Sequence, residues 1–143
     1  MKSARIIRYA RRFLLYIRFR QEILRDTVIV SVKEGGIFLY FTSYLQNGQL
    51  TISLTGEIDH HSARRYMDAI SNKLETYMPE VCVLDLKDIP FMDSSGIAVL
   101  INALRHMERL GGKLFVSNMN PQPLRVFHAA GMEKILETKE VGV

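Results

Sequence analysis

The sequence lacks several features that would assign it to a special class of protein. It has one cysteine and no tryptophan, and only four of its 143 residues are proline. Because Cys82 is the only cysteine, it cannot form an internal disulfide. Its position in the apolar run VCVLDL predicts a small core residue in a reducing compartment. These features favour one cytoplasmic domain with an ordinary hydrophobic core over a disulfide-stabilised secreted protein.

Motifs for nucleotide, metal and catalytic sites are also missing. The sequence contains neither G-x-G-x-x-G nor G-x-x-x-x-G-K-[ST]. Asp59, His60, His61 and Asp93 are ligand types without a recognised metal spacing. MDSSG lacks the first glycine of the G-x-S-x-G nucleophile elbow, and the histidines form no recognisable triad motif. We therefore expect no cofactor, no metal ion and no enzymatic activity.

An excess of positive charge is absent from most of the chain. Residues 1–40 carry nine Lys/Arg against three Asp/Glu, whereas residues 41–143 carry ten against twelve. Because the basic excess is wholly N-terminal, the body of the protein has no electrostatic footprint for nucleic acid. No direct nucleic-acid partner is expected.

The basic excess lies in a predicted amphipathic helix, ARIIRYARRFLLYIRFRQEIL. One side of this helix carries Ile6, Ala10, Phe13, Ile17 and Leu24, and most arginines lie opposite. Its longest charge-free stretch, residues 13–17, is far shorter than the about 20 apolar residues that cross a bilayer, and no signal-peptide cleavage site follows.

Three interpretations of the N-terminal segment stay open. Residues 1–25 could lie on a membrane surface or on a partner, or form a helix that packs on the domain. The third interpretation is an over-extended reading frame, although a shorter product would need an alternative start codon because no methionine lies between Met1 and Met67. Residues 27–41 are typical of two strands about a Gly-Gly turn or of a loosely attached segment. We divide the chain into a basic extension, 1–40, and a domain, 41–143.

From about residue 41, strand and helix periodicities alternate. FTSYLQNGQLTISLTG predicts a hairpin about Asn47-Gly48. A helix follows, with Tyr66, Ile70, Leu74 and Met78 on one side, and VCVLDL then predicts a strand covered on both faces. IAVLINALRHMERL, KLFVSN and PQPLRVFHAAG predict helix, strand and helix, and a short strand lies near residues 135–138. The order β-β-α-β-α-β-α-β predicts an α/β fold, a mixed sheet with helices packed on it.

Two loops, GEIDHHS (56–62) and FMDSSG (91–96), each lead from a strand to a helix. In open α/β sheets, function gathers at the loops that leave the carboxyl ends of strands. We therefore expect these loops to share one rim of the sheet and to form one site.

Ser94 and Ser95 stand at the expected start of a helix. Asp and Ser favour this position as helix caps, a role worth about 1 kcal/mol. The fold would also tolerate a phosphate there, because free N–H groups and the helix dipole favour an anion. A partner over the loop would meet about 1.5 to 2 extra negative charges beside Asp93, at a cost of several kcal/mol if they were left unpaired. The position suits a switch of association.

The segments LTGEIDHHSA, FMDSSGIAVLI, GGKLFVSN and VFHAAGMEKIL resemble the STAS-domain anti-sigma factor antagonists over residues 41–140. Within this family the resemblance favours the branch that controls a sporulation sigma factor. The resemblance implies a STAS fold and a non-enzymatic phosphoprotein that regulates transcription by partner switching. A stressosome-type STAS module and a membrane-surface scaffold remain alternatives.

The resemblance also implies partners and residue roles. The unmodified protein would bind an anti-sigma factor that is also a serine kinase and thereby release the sigma factor. Phosphorylation of Ser94 would end this binding, and a PP2C-type phosphatase would restore it. By position, Asp93 would precede the acceptor, Ser95 and Gly96 would open the helix, and Asp59, His60 and Ser62 would line the docking face.

Overall fold

The computed structural model describes residues 24–31 and 38–139. The predicted amphipathic helix falls largely on residues 1–23, outside these ranges, although Leu24 lies in the first described strand. The strands are β1 (Leu24–Ser31), β2 (Phe38–Gln46), β3 (Gln49–Thr55), β4 (Val81–Asp88), β5 (Lys113–Ser117) and β6 (Glu137–Thr138). The helices are α1 (Ala63–Tyr77), α2 (Ser94–Arg109) and α3 (Pro121–Ala129), and a 3-10 turn covers Met132–Lys134.

The described strands form one mixed sheet in the order β1-β2-β3-β4-β5-β6. β1, β2 and β3 are antiparallel neighbours, and β3 to β6 are parallel. The predicted fold class and the order β-β-α-β-α-β-α-β are confirmed from β2 onward. One strand precedes this series, because β1 pairs with β2 from Leu24 opposite Leu45 to Ser31 opposite Phe38.

The hairpin between β2 and β3 turns at the predicted Asn-Gly pair. Asn47 and Gly48 have φ values of 52° and 78°, and Gln46 lies opposite Gln49. Positive φ at both central residues is the requirement of a type I′ turn, which Asn-Gly meets at low cost. The turn fixes the register that sends Phe41, Leu50 and Leu54 into the core.

All three helices pack on one face of the sheet. Each connects neighbouring parallel strands in the same direction along the sheet, and right-handed crossovers then place them on one side. Tyr66, Ile70 and Leu74 of α1 share a core cluster with Cys82 and Leu84 of β4. Burial raises the pKa of the Cys82 thiol, as befits a core residue.

The other face of β4 is only partly covered. Val83 is buried, but Val81 and Asp85 are half-buried, so the prediction of cover on both faces holds for one of these three positions. Helix α1 also ends earlier than predicted: Met78 is its C-cap, with φ 42°, and donates its N–H to the Leu74 carbonyl at 2.8 Å. Pro79 follows, and a residue before proline avoids the right-handed helical region.

Candidate functional site

The two strand-to-helix loops are joined by backbone hydrogen bonds. Ile58 N–H donates to the Phe91 carbonyl at 3.1 Å, and Asp93 N–H donates to the Ile58 carbonyl at 3.0 Å. These bonds form an isolated parallel bridge between Ile58 and Met92. The prediction of a shared rim at the carboxyl ends of β3 and β4 is therefore confirmed. Asp59 and Asp93 each follow the bridge by one residue.

Ser94 is the first residue of α2 and is exposed. Asp93 is the N-cap: its Oδ1 accepts from the Ser95 N–H at 2.7 Å, and its carbonyl accepts from the Gly96 N–H at 2.9 Å. Among the described residues, none forms a hydrogen bond with the Ser94 hydroxyl. From the sequence, Asp93, Ser94 and Ser95 were all candidate caps. In the structure Asp93 is the cap, and the Ser94 hydroxyl takes no part in it.

Gly96 lies in the first turn of α2, where the helix packs closely against Met92. Gly96 is buried, and a Cβ added to it would lie 2.8 Å from Met92 Sδ and 2.9 Å from Met92 Cβ. Such distances lie inside van der Waals contact, so only glycine lets the first turn of α2 sit this close to the loop. Half-buried Ser95 is held by its bond to Asp93. Both residues position Ser94.

The neighbouring loop is fixed by a reciprocal pair of polar residues. Asp59 Oδ1 accepts from the N–H groups of Ser62 and His61, both at 2.9 Å. The Ser62 hydroxyl accepts from Asp59 N–H at 3.0 Å and donates to the Glu57 carbonyl at 2.9 Å. The bond from the Ser62 N–H is the main cause that lowers the pKa of Asp59 below its usual value.

The residues of this loop differ in exposure. Ser62 is only 1% exposed, so it holds the loop from below. His60 and His61 are exposed, and their rings lie against each other with centroids 3.8 Å apart and a tilt of 40°. In this loop the histidines therefore face solvent, and Ser62 lies beneath them as a support.

Two amides that the sequence analysis did not single out hold the Ser94 loop from α3. Gln122 Oε1 accepts from Met92 N–H at 2.9 Å, and Gln122 Nε2 donates to the Met92 carbonyl at 3.0 Å. Asn120 Nδ2 lies 2.8 Å from the carbonyls of both Lys87 and Ile89. The local pattern marks Asn120 only as a residue before a helix that starts with proline, and nothing in it points to partners 30 residues away.

The other two histidines, His106 and His128, are paired with glutamates. His106 Nε2 lies 2.7 Å from Glu75 Oε1 between α1 and α2, and His128 Nδ1 lies 3.5 Å from Glu133 Oε2. Within residues 24–31 and 38–139, no hydrogen bond joins Ser94 to a histidine. A serine nucleophile needs a base within hydrogen-bond reach, so this geometry gives Ser94 no activating partner.

The described part of the chain shows no cluster of three or more His, Cys, Asp or Glu residues arranged to hold a metal ion. In the same residues, no helix has the length and apolar character needed to cross a bilayer.

The comparison with protein families decides the identity of this fold. The model of the STAS domain matches residues 40–141. The chain belongs to the STAS domain family.

Relatives of this STAS domain include named antagonists. It is 33% identical over 89 residues to an anti-sigma F factor antagonist of Paenibacillus polymyxa, covering 62% of this chain and 76% of that protein. An anti-sigma-B factor antagonist of Listeria monocytogenes is 28% identical over 95 residues, with 64% and 80% covered. Anti-sigma factor antagonists are binding proteins rather than enzymes, and this STAS domain is a member of that family.

A solved structure matches the fold. The anti-sigma factor antagonist SpoIIAA in its unphosphorylated form superimposes with a TM-score of 0.58, at 20% identity, and covers 82% of this chain and 89% of that one. At this level of identity the likeness concerns the fold. It agrees with the mixed sheet and the three helices described above.

Proposed function

We propose that this STAS domain is an anti-sigma factor antagonist whose binding to its anti-sigma factor is switched off by phosphorylation of Ser94. In the unmodified state it binds an anti-sigma factor that is also a serine kinase, and the sigma factor is released. The observation that carries the proposal is the exposed Ser94 hydroxyl at the start of α2, next to a helix cap formed by Asp93.

The fold is suited to carrying a phosphate at this position. The N-terminal end of α2 favours negative charge by about 0.3–1 kcal/mol through the helix dipole. Asp93 keeps its bond to Ser95 when the Ser94 hydroxyl is modified, because Ser94 has no part in the cap. The modification therefore leaves the helix start intact and changes the surface.

The effect on a partner is much larger than the effect on the fold. Phosphorylation adds about −1.5 to −2 charges at neutral pH beside Asp93. If a docked partner removed this group from water without pairing it, the cost would be several kcal/mol. A cost of about 4 kcal/mol corresponds to about a thousandfold loss of affinity. Phosphorylation can thus separate the pair without unfolding either protein.

Further parts of the proposal rest on the family. A PP2C-type phosphatase restores the binding form, and the cycle takes place in the cytoplasm. The 33% identity to an anti-sigma F factor antagonist supports the sporulation branch. The membrane-surface alternative depends on residues 1–25, most of which lie outside the described residues, and stays a prediction.

The test measures modification and binding together. The host's anti-sigma factors are purified and incubated with the full-length protein and ATP, and mass spectrometry locates the phosphate. We expect it on Ser94 in the wild type and in the control Ser95→Ala. Ser94→Ala should bind the kinase and resist modification, whereas Ser94→Asp should bind at least about tenfold more weakly. Equal binding by both Ser94 variants, or a phosphate mapped to another residue, would overturn the proposal.

A further inference from the structure

Phe91 is an exposed aromatic side chain at the rim that carries Ser94. Among residues 41–139, the exposed large apolar side chains are Tyr44 (36%), Phe91 (40%) and Ile135 (57%). Tyr44 lies near the hairpin end of β2, opposite Thr51, and Ile135 lies just before the edge strand β6. A single exposed apolar residue is ordinary by itself, so the position and rigidity of Phe91 decide its meaning.

The backbone of Phe91 is held on both sides. Its carbonyl accepts from Ile58 N–H at 3.1 Å. Its neighbours Ile89 and Met92, in contrast, are fully buried. The carbonyl of Ile89 accepts from Asn120, and the backbone of Met92 is bound by Gln122. The chain therefore presents the Phe91 ring on a fixed backbone, which lowers the entropy that binding would cost.

Phe91 and Ser94 lie within one partner's reach. Three residues of extended chain span at most about 11 Å between Cα atoms. A standard protein interface buries about 800 Å² per partner, a patch roughly 30 Å across. A protein kinase that brings its active site to Ser94 is therefore large enough to contact the exposed Phe91 ring as well.

We propose that Phe91 is the apolar anchor through which the anti-sigma factor kinase docks on this rim, with the ring entering an apolar pocket of the partner. The inference rests on the proposed function and adds a division of roles to it. Buried aromatic residues near the centre of an interface supply a large share of binding energy. Phe91 then supplies affinity, and Ser94 supplies the switch.

The test compares Phe91→Ala with the matched control Ile135→Ala. The probe is the host anti-sigma factor kinase that binds the wild-type protein, and the measurements are calorimetric Kd and phosphorylation kinetics. Phe91→Ala should weaken binding by about 30-fold or more, the usual size of an anchor effect, and Ile135→Ala by less than about twofold. With Phe91→Ala, KM for phosphorylation of Ser94 should rise while kcat stays near the wild-type value.

Two further measurements keep the outcomes separate. Thermal unfolding checks that Phe91→Ala is folded, and a benzoylphenylalanine photo-crosslinker at position 91 should link to the kinase, whereas one at position 135 should not. Wild-type affinity of Phe91→Ala, or no crosslink from position 91, would overturn the anchor and leave the proposed function standing. If the wild-type protein binds none of the host's anti-sigma factors, the proposed function itself fails.

Discussion

The side-chain amide of Gln122 is bonded to both backbone polar groups of Met92, at 2.9 Å and 3.0 Å, across 30 residues of sequence. The amide takes the place that a neighbouring strand would fill, because it offers one acceptor and one donor to the backbone. Helix α3 thereby holds the loop that carries Ser94.

Gln122→Ala should destabilise the domain by about 1–3 kcal/mol, because it leaves the N–H and carbonyl of buried Met92 without partners. Urea unfolding measures the change, and native-state hydrogen exchange should show faster exchange of the Met92 amide. Gln46→Ala, at an exposed position of β2, is the control and should change stability by less than about 0.5 kcal/mol. A Gln122→Ala protein as stable as the wild type would show that water replaces the amide at no cost.

Gly96→Ala should destabilise the domain by about 1–3 kcal/mol, because the new Cβ would overlap Met92 Cβ and Sδ. Met92 Cβ is fixed by the loop backbone, so rotation of the thioether end relieves only part of the overlap. Ser95→Ala is the matched control, because it leaves a methyl group one residue earlier in the same turn. The midpoint of urea unfolding should fall for Gly96→Ala and stay almost unchanged for Ser95→Ala. The reverse order would contradict the close approach of α2 to Met92.

The lowered pKa of Asp59 makes a signed prediction for pH. A carboxylate with a lowered pKa in the folded state stabilises the fold above its unfolded pKa, ordinarily 3.8, and loses this contribution as the pH falls through the folded value. The stability difference between the wild type and Asp59→Asn should therefore be full near pH 6 and shrink below about pH 4. Urea unfolding across this pH range measures it.

Asp68→Asn serves as the control for Asp59→Asn, because it removes a carboxylate that lies on the exposed surface of α1 and is paired with Arg64 at 3.6 Å. A constant difference between wild type and Asp59→Asn at all pH values would contradict the lowered pKa of Asp59 in the folded protein.

The fold was largely predictable because its signals are local. Asn47-Gly48 set a turn, and apolar residues at helical spacing gave α1 its buried face. The end of α1 was less predictable: Met78 continues the apolar spacing, but Pro79 forces it out of the helix. The partial exposure of one face of β4 could not be predicted either, because an apolar run does not show that all helices lie on one face of the sheet.

The site was predictable at its loops and not at its supports. The motif around Ser94 and the carboxyl-end rule placed the two loops together. Which of Asp93, Ser94 and Ser95 caps α2 could not be predicted, because their capping preferences are similar and only the fold selects one of them. The bonds from Asn120 and Gln122 were beyond local patterns, because they depend on how α3 sits against a loop from a distant part of the chain.

The separation of the cap from the acceptor has a consequence for the life of the protein in the cell. Under the proposed switch, the phosphorylated and unphosphorylated forms have nearly the same folding stability, because Asp93 caps α2 in both. A cell can then switch the same molecules many times without degrading and resynthesising them.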